Sequence, residues 1–195
     1  MKKSSSQLFL YIACTSLLLA AGCSNPTDDK GLSEGVIEYD AVAVDQSNPM
    51  ASLAPTKMTF KFKDDKFAAE MTAGMGMFTT IFVSDASNKT LSQLVRLLNK
   101  KYVLTLDSNN IKKENEALPL TKIEKTKETK MIAGYKCTKA NISFPDDIHP
   151  SFTVYYTTDL NLKTPNWNSP FAKIEGVLME YQVNRYGLEM KFTAK

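Results

Sequence analysis

Four places in the sequence carry side chains whose type and spacing could do chemistry. In "SLLLAAGCSNPTDDKG", residues 16 to 31, Cys23 follows the small residues Ala20, Ala21 and Gly22 and precedes polar, proline-containing chain. Small residues leave an extended backbone open to a peptidase, and a thiol is a soft nucleophile able to take up a diacylglycerol group. In "FPDDIHP" the lone histidine, His149, falls within four residues of Asp146 and Asp147, a carboxylate and imidazole set suited to acid and base catalysis. "EMTAGMGMF" groups Met71, Met75 and Met77, thioethers that suit monovalent copper. "GYKCTKA" holds Cys137.

Each has a plainer reading. His149 lies between Ile148 and Pro150 in a turn-like stretch, and Cys137 falls on a predicted strand. His149 then reads as a solvated loop residue and Cys137 as a small apolar strand residue. Adjacent aspartates, here Asp28-Asp29, Asp64-Asp65 and Asp146-Asp147, commonly hydrogen-bond their own backbone in turns. Methionines fill irregular cavities and adapt to flexible apolar ligands. We therefore assign no catalytic residue, metal or cofactor. An envelope enzyme built on Asp146, Asp147 and His149, or a methionine copper binder, is the competing reading.

Cys23 stands in a wider pattern. "MKKSSSQ" is basic, and the apolar segment from Leu8 to Ala21 is 14 residues long, within the range of a signal-peptide core, whereas a membrane-spanning helix needs about 20. Basic start, apolar core, small residues, cysteine and polar tether together resemble the lipobox of bacterial lipoproteins. The resemblance implies a signal peptide over 1–22, lipid (palmitate among its chains) on Cys23, a tether over 23–33 and one domain over 34–195. Ser24 is not the aspartate that retains such proteins at the inner membrane, and "DDK" at 28 to 30 resembles short acidic export signals. The expected location is the cell envelope, at the outer membrane, on its periplasmic side or the cell surface.

Removing the first 22 of 195 residues leaves 173, enough for one domain with its own core. Lys2 and Lys3 go with them, so 24 basic and 21 acidic side chains become 22 and 21, and no nucleic-acid partner is called for. The membrane, through the lipid, and an apolar ligand are the expected partners of a monomer. If Cys23 carries lipid, Cys137 has no partner left for a disulfide.

The domain reads as about ten short strands. "EGVIEYDAVAV" alternates Ile37, Tyr39, Ala41 and Ala43 against Glu38 and Asp40, and "KMTFKFKDDKFAAEMTA" is a hairpin turning at Asp64 and Asp65. "TLSQLVRLLN" favours a strand over a helix, "SNNIKKENEALP" is a polar connection, and the strand after Gly134 carries Tyr135, Cys137, Lys139, Asn141 and Ser143 on one parity. The expected fold is mainly β with minor α, a curved antiparallel sheet resembling half a barrel beneath a short helix or loop lid.

The order "KTKETKMIAGYKCTKA", "VYYTTDL", "SPFAKIEGVLMEYQV" and "YGLEMKFTAK" resembles a domain-of-unknown-function family of bacterial lipoproteins, over roughly residues 34 to 195. It is also similar to GLPGLI-type proteins and, more distantly, to lipoprotein carriers and lipid-binding lipoproteins whose unclosed sheet wraps a greasy cavity. That similarity implies a fold and a ligand class but no catalytic residue. Phe60, Phe62, Met71, Phe78, Phe82, Tyr155, Met179 and Tyr181 all fall in predicted strands. Either they pack against a second layer made from segments such as 45–55 and 160–172, or they line a pocket that those segments lid.

Overall fold

Alternation of apolar and polar residues sets the middle of the sheet. In β1 (Glu34–Ala43) Ile37, Tyr39, Ala41 and Ala43 are buried while Glu38 and Val42 face water. In β2 (Lys57–Lys63) Met58, Phe60 and Phe62 are buried between exposed lysines. Such a period of two is the signature of a strand with one face on a core. The computed structural model describes residues 31–116, 122–146, 149–185 and 187–195, so the expected signal peptide, Cys23, most of the tether and Asp147 lie outside the described residues.

The remaining strands are β3 (Lys66–Ala73), β4 (Phe78–Asp85), β5 (Thr90–Leu97), β6 (Lys100–Leu106), β7 (Lys122–Ile132), β8 (Tyr135–Ser143), β9 (Phe152–Thr157), β10 (Val177–Arg185) and β11 (Leu188–Ala194). All eleven form one antiparallel sheet in the order β6-β5-β4-β3-β2-β1-β11-β10-β9-β8-β7. The chain winds from the centre to one edge, crosses to the other edge, and winds back until β11 closes on β1, where Ala41 faces Phe192. Flat, eleven strands would put β6 and β7 about 48 Å apart at ~4.8 Å per step. Residues 107–121 join them, and a stretch of that length containing one helix reaches under about 40 Å. The sheet must therefore curve, as expected.

The eleven strands agree with the expected count of about ten. One reading is corrected. Residues 108–116 of the predicted polar connection form a helix, α1 (Ser108–Glu116). Asp107 caps it, its carboxylate accepting from the Asn110 amide at 2.9 Å and its carbonyl from the Ile111 amide at 3.0 Å. Ile111 is the one deeply buried residue among its described side chains, too little apolar periodicity to announce a helix. Both parities of β8 are buried: Cys137 in one apolar cluster, Ala140 and Ile142, of the opposite parity, in another. The pairing of β7 with β8 shifts register between Lys125 and Thr129, and such a shift lets one strand serve two cores.

Glu180 on β10 is the buried charge among the described residues of the sheet. Its carboxylate pairs with Lys130 at 2.9 Å and Lys191 at 3.1 Å. Burial pushes its pKa up, but the hydrogen bonds from the two lysines outweigh that and hold it below the ordinary 4.5. A carboxyl whose folded pKa lies below its unfolded one stabilises the fold above the unfolded value, and that share is lost as pH falls through the folded one. We expect denaturant stability to decline below about pH 4.5, and Glu180→Gln to flatten that decline. An unchanged acid profile in Glu180→Gln would show that other carboxylates carry it.

Candidate functional site

Residues 158–176, between β9 and β10, form no strand and instead strap across the sheet's inner face. Successive tight turns shape the strap: Trp167, Ser169, Ala172 and Ile174 each donate a backbone amide to the carbonyl three residues earlier. Asn166, buried, donates from Nδ2 to the carbonyls of Ile174 and Gly176, both at 2.9 Å, and ties the strap to itself. Trp167 Nε1 donates to Ser84 Oγ at 2.9 Å on β4, with Lys89 Nζ 4.9 Å from the ring centre. Phe171 and Ile174 turn inward and pack with Ala140, Ile142, Val154 and Leu178. Trp167 is the only tryptophan, so its fluorescence reports on the strap alone. Ser84→Ala removes its acceptor and should cost about 1 kcal/mol and red-shift the emission. An unshifted spectrum would mean that the ring is held by packing and Lys89 instead.

Between strap and sheet lies a groove of about 520 Å³. Its floor comes from Tyr39 on β1, Met58 and Phe60 on β2, Phe67, Ala69 and Met71 on β3, Phe82 on β4, Tyr181 on β10 and Phe192 on β11. Its roof is Phe144, His149 and Pro150 from the loop before β9, with Asn166, Pro170 and Phe171 of the strap. Aromatic rings run through it as a continuous series. Phe67 stacks on Phe60 at 4.9 Å, Phe60 meets Tyr39 at 6.5 Å, and Tyr39 meets Tyr181 at 6.1 Å. Tyr181 meets Phe171 at 6.4 Å, and Phe171 leads through Phe152 to Phe144.

Polar atoms on the floor are already used. Tyr39 donates its hydroxyl to the Leu178 carbonyl at 2.8 Å, and Tyr181 donates to Met58 Sδ at 3.8 Å. Burial pushes both phenols well above their usual range, so they stay neutral. Among the described residues no buried side-chain polar atom lacks a partner. The floor therefore meets a ligand by shape and apolar contact, and hydrogen bonding is left to the rim, where Asn168, Gln182, Asn184 and Glu189 lie.

Four of the eight predicted ligand residues, Phe60, Met71, Phe82 and Tyr181, line this groove. The other four do not. Phe62 and Met179 meet instead at a separate pocket of about 80 Å³, where Gly35 lies beneath the Phe62 ring. Phe78 ends up beyond the groove, over Gly74, and is partly exposed. Tyr155 turns to Lys130, whose Nζ is 5.1 Å from its ring centre. Segment 45–55 is no roof; Ala51 and Ala54 pack against the main core, and Asn48 ties to the Gly187 carbonyl. Tyr39, Phe152, Phe171 and Phe192 also line the groove, and of these Tyr39 has a sign in the sequence, the parity it shares with the buried residues of β1.

Of the other chemical candidates, among the described residues only His149 and Asp146 meet. His149 Nδ1 lies 2.7 Å from Asp146 Oδ1, which also accepts the His149 amide at 2.9 Å, so the aspartate closes a turn. The imidazole rests on Phe144 at 5.1 Å and edges the groove. Cys137 is fully buried elsewhere, and that burial pushes its thiol up, away from reactivity. Met71 lines the groove while Met75 is 95 % exposed, so the two do not share a ligand. Among the described residues no three His, Cys, Asp or Glu side chains gather as a metal set would.

A family model described as "N-glycanase peptide, N-terminal domain" matches residues 51–184. This is a different family from the lipoprotein groups that the motifs resemble. No curated protein matches the chain.

Proposed function

The chain belongs to the family of N-glycanase peptide N-terminal domains, and we propose that it serves as a non-enzymatic, lipid-anchored envelope domain that binds an apolar or amphiphilic ligand beneath its strap. The groove carries this reading. An aromatic floor with every hydroxyl engaged offers apolar contact worth roughly 25 cal/mol per Å² and little else, while the amides of the rim suit a polar head. A volume of about 520 Å³ is in the range of small-ligand sites.

Native mass spectrometry of a soluble chain lacking residues 1–23, followed by solvent extraction, tests the ligand. Copurified lipid, or binding of a fluorescent fatty acid, supports the groove; a bare mass with no binding leaves only a compact interaction domain. The family's description attaches such domains to N-glycanases, and rings beside amides also suit sugars, so an N-glycosylated peptide is the second occupant to assay. Two or three acyl chains on Cys23 would make attachment effectively permanent, since one chain binds only marginally. Fatty-acid labelling should vanish in Cys23→Ala, and equal labelling of both chains would sink the anchor. Protease treatment of intact cells separates surface from periplasmic display.

A further inference from the structure

The two edges of the sheet are built differently. β7 carries Lys122, Glu124, Lys125, Lys127, Glu128 and Lys130 and breaks its register between Lys125 and Thr129, features that obstruct the addition of another strand. β6 has neither. It pairs with β5 alone, without a register break, and its central residues Tyr102, Val103 and Leu104 are 54, 68 and 51 % exposed. Three consecutive apolar residues, open on both faces of an edge strand, are a template for further pairing.

The sequence of the strand says with what. Lys100 and Lys101 stand at its start, and Asp107 follows its last residue. Beside a second β6 running parallel, lysines would meet lysines. Running antiparallel about a two-fold axis at Val103, Tyr102 of each copy meets Leu104 of the other on one face and Val103 meets Val103 on the other. Each lysine end then lies beside the other copy's Asp107 end. We infer that β6 is a self-complementary edge on which a second copy of this chain adds antiparallel, centred on Val103, to continue the sheet through a dimer. This departs from the monomer expected above and is independent of what the groove binds.

Cysteine cross-linking of the full chain in detergent tests it. Opposed Cα atoms of an antiparallel pair lie about 4.5 to 5.5 Å apart, within disulfide range. Val103→Cys should give a reducible dimer under mild oxidation, against the background of the wild-type cysteines. Val36→Cys, equally exposed but on β1 in mid-sheet, should not. The unmodified chain should sediment as a dimer and a Val103→Lys, Leu104→Lys variant as a monomer with an unchanged circular dichroism spectrum. Absence of the Val103→Cys dimer, equal cross-linking through Val36→Cys, or a wild-type chain that sediments as a monomer would overturn the proposal. Preferential cross-linking through Tyr102→Cys or Leu104→Cys alone would overturn its register.

Discussion

Replacing Phe82 by aspartate is expected to weaken binding of a fluorescent fatty acid by at least about 30-fold while leaving the sheet folded. Phe82 lines the groove from β4 and is only half-buried, so its loss does not open the main core. A phenylalanine ring buried against a ligand contributes about 2 kcal/mol, which is roughly 30-fold in affinity, and a carboxylate desolvated by the same ligand adds to the loss. Met71→Asp should act alike from β3. Phe78→Asp is the discriminating control: same strand, same parity, but beyond the groove and partly exposed, so it should bind as the wild type does. If Phe82→Asp and Phe78→Asp bind equally well, the ligand does not lie beneath the strap.

Gly176→Ala is expected to have the largest effect on stability, a fall in thermal midpoint of roughly 10 °C or more, or no folded protein. Gly176 has φ +113°, a conformation that side-chain-bearing residues rarely adopt. A Cβ there would also lie 2.3 Å from the Thr157 carbonyl oxygen and 2.9 Å from its carbon. Those are backbone atoms at the end of β9, and Thr157 pairs with Val177, so neither side can retreat without breaking the sheet. The Gly176 carbonyl also receives Asn166, so the strap would loosen with it. A cost of several kcal/mol is a large share of the usual 5 to 15, at about 2 to 4 °C per kcal/mol for a chain of this length. Gly134→Ala tests the reasoning, because φ there is +82° but nothing lies within 4 Å of the added carbon. It should cost about 1 kcal/mol. Circular dichroism melts of the two variants decide, and equal midpoints would show that conformational strain, not the contact with Thr157, dominates.

Which face of a strand a residue occupies is written locally. Steric alternation of side chains along an extended backbone has a period of two, so Ile37, Tyr39, Ala41 and Ala43, or Met58, Phe60 and Phe62, reveal the buried face without knowledge of any neighbour. Turn residues such as Asp64, left-handed at φ 51°, mark where the chain reverses. From these follow the many strands, their antiparallel pairing and the inward placement of Phe60, Met71, Phe82 and Tyr181. The helix over 108–116 has a local sign too, the cap at Asp107, but with Ile111 the one deeply buried residue among its described side chains it has no periodic face to confirm it.

Position along the strands is another matter. Phe60 and Phe62 share a strand and a parity, as do Phe78 and Phe82, yet one of each pair lies in the groove and the other outside it. What divides them is where the strap crosses, and that is settled by contacts such as Trp167 to Ser84, between residues far apart in the chain. The register breaks in β7 and β10 likewise answer to what packs on each face. Alternation is a property of three neighbouring residues, whereas a groove exists only where two distant segments approach and leave space between them, and no local pattern encodes that distance.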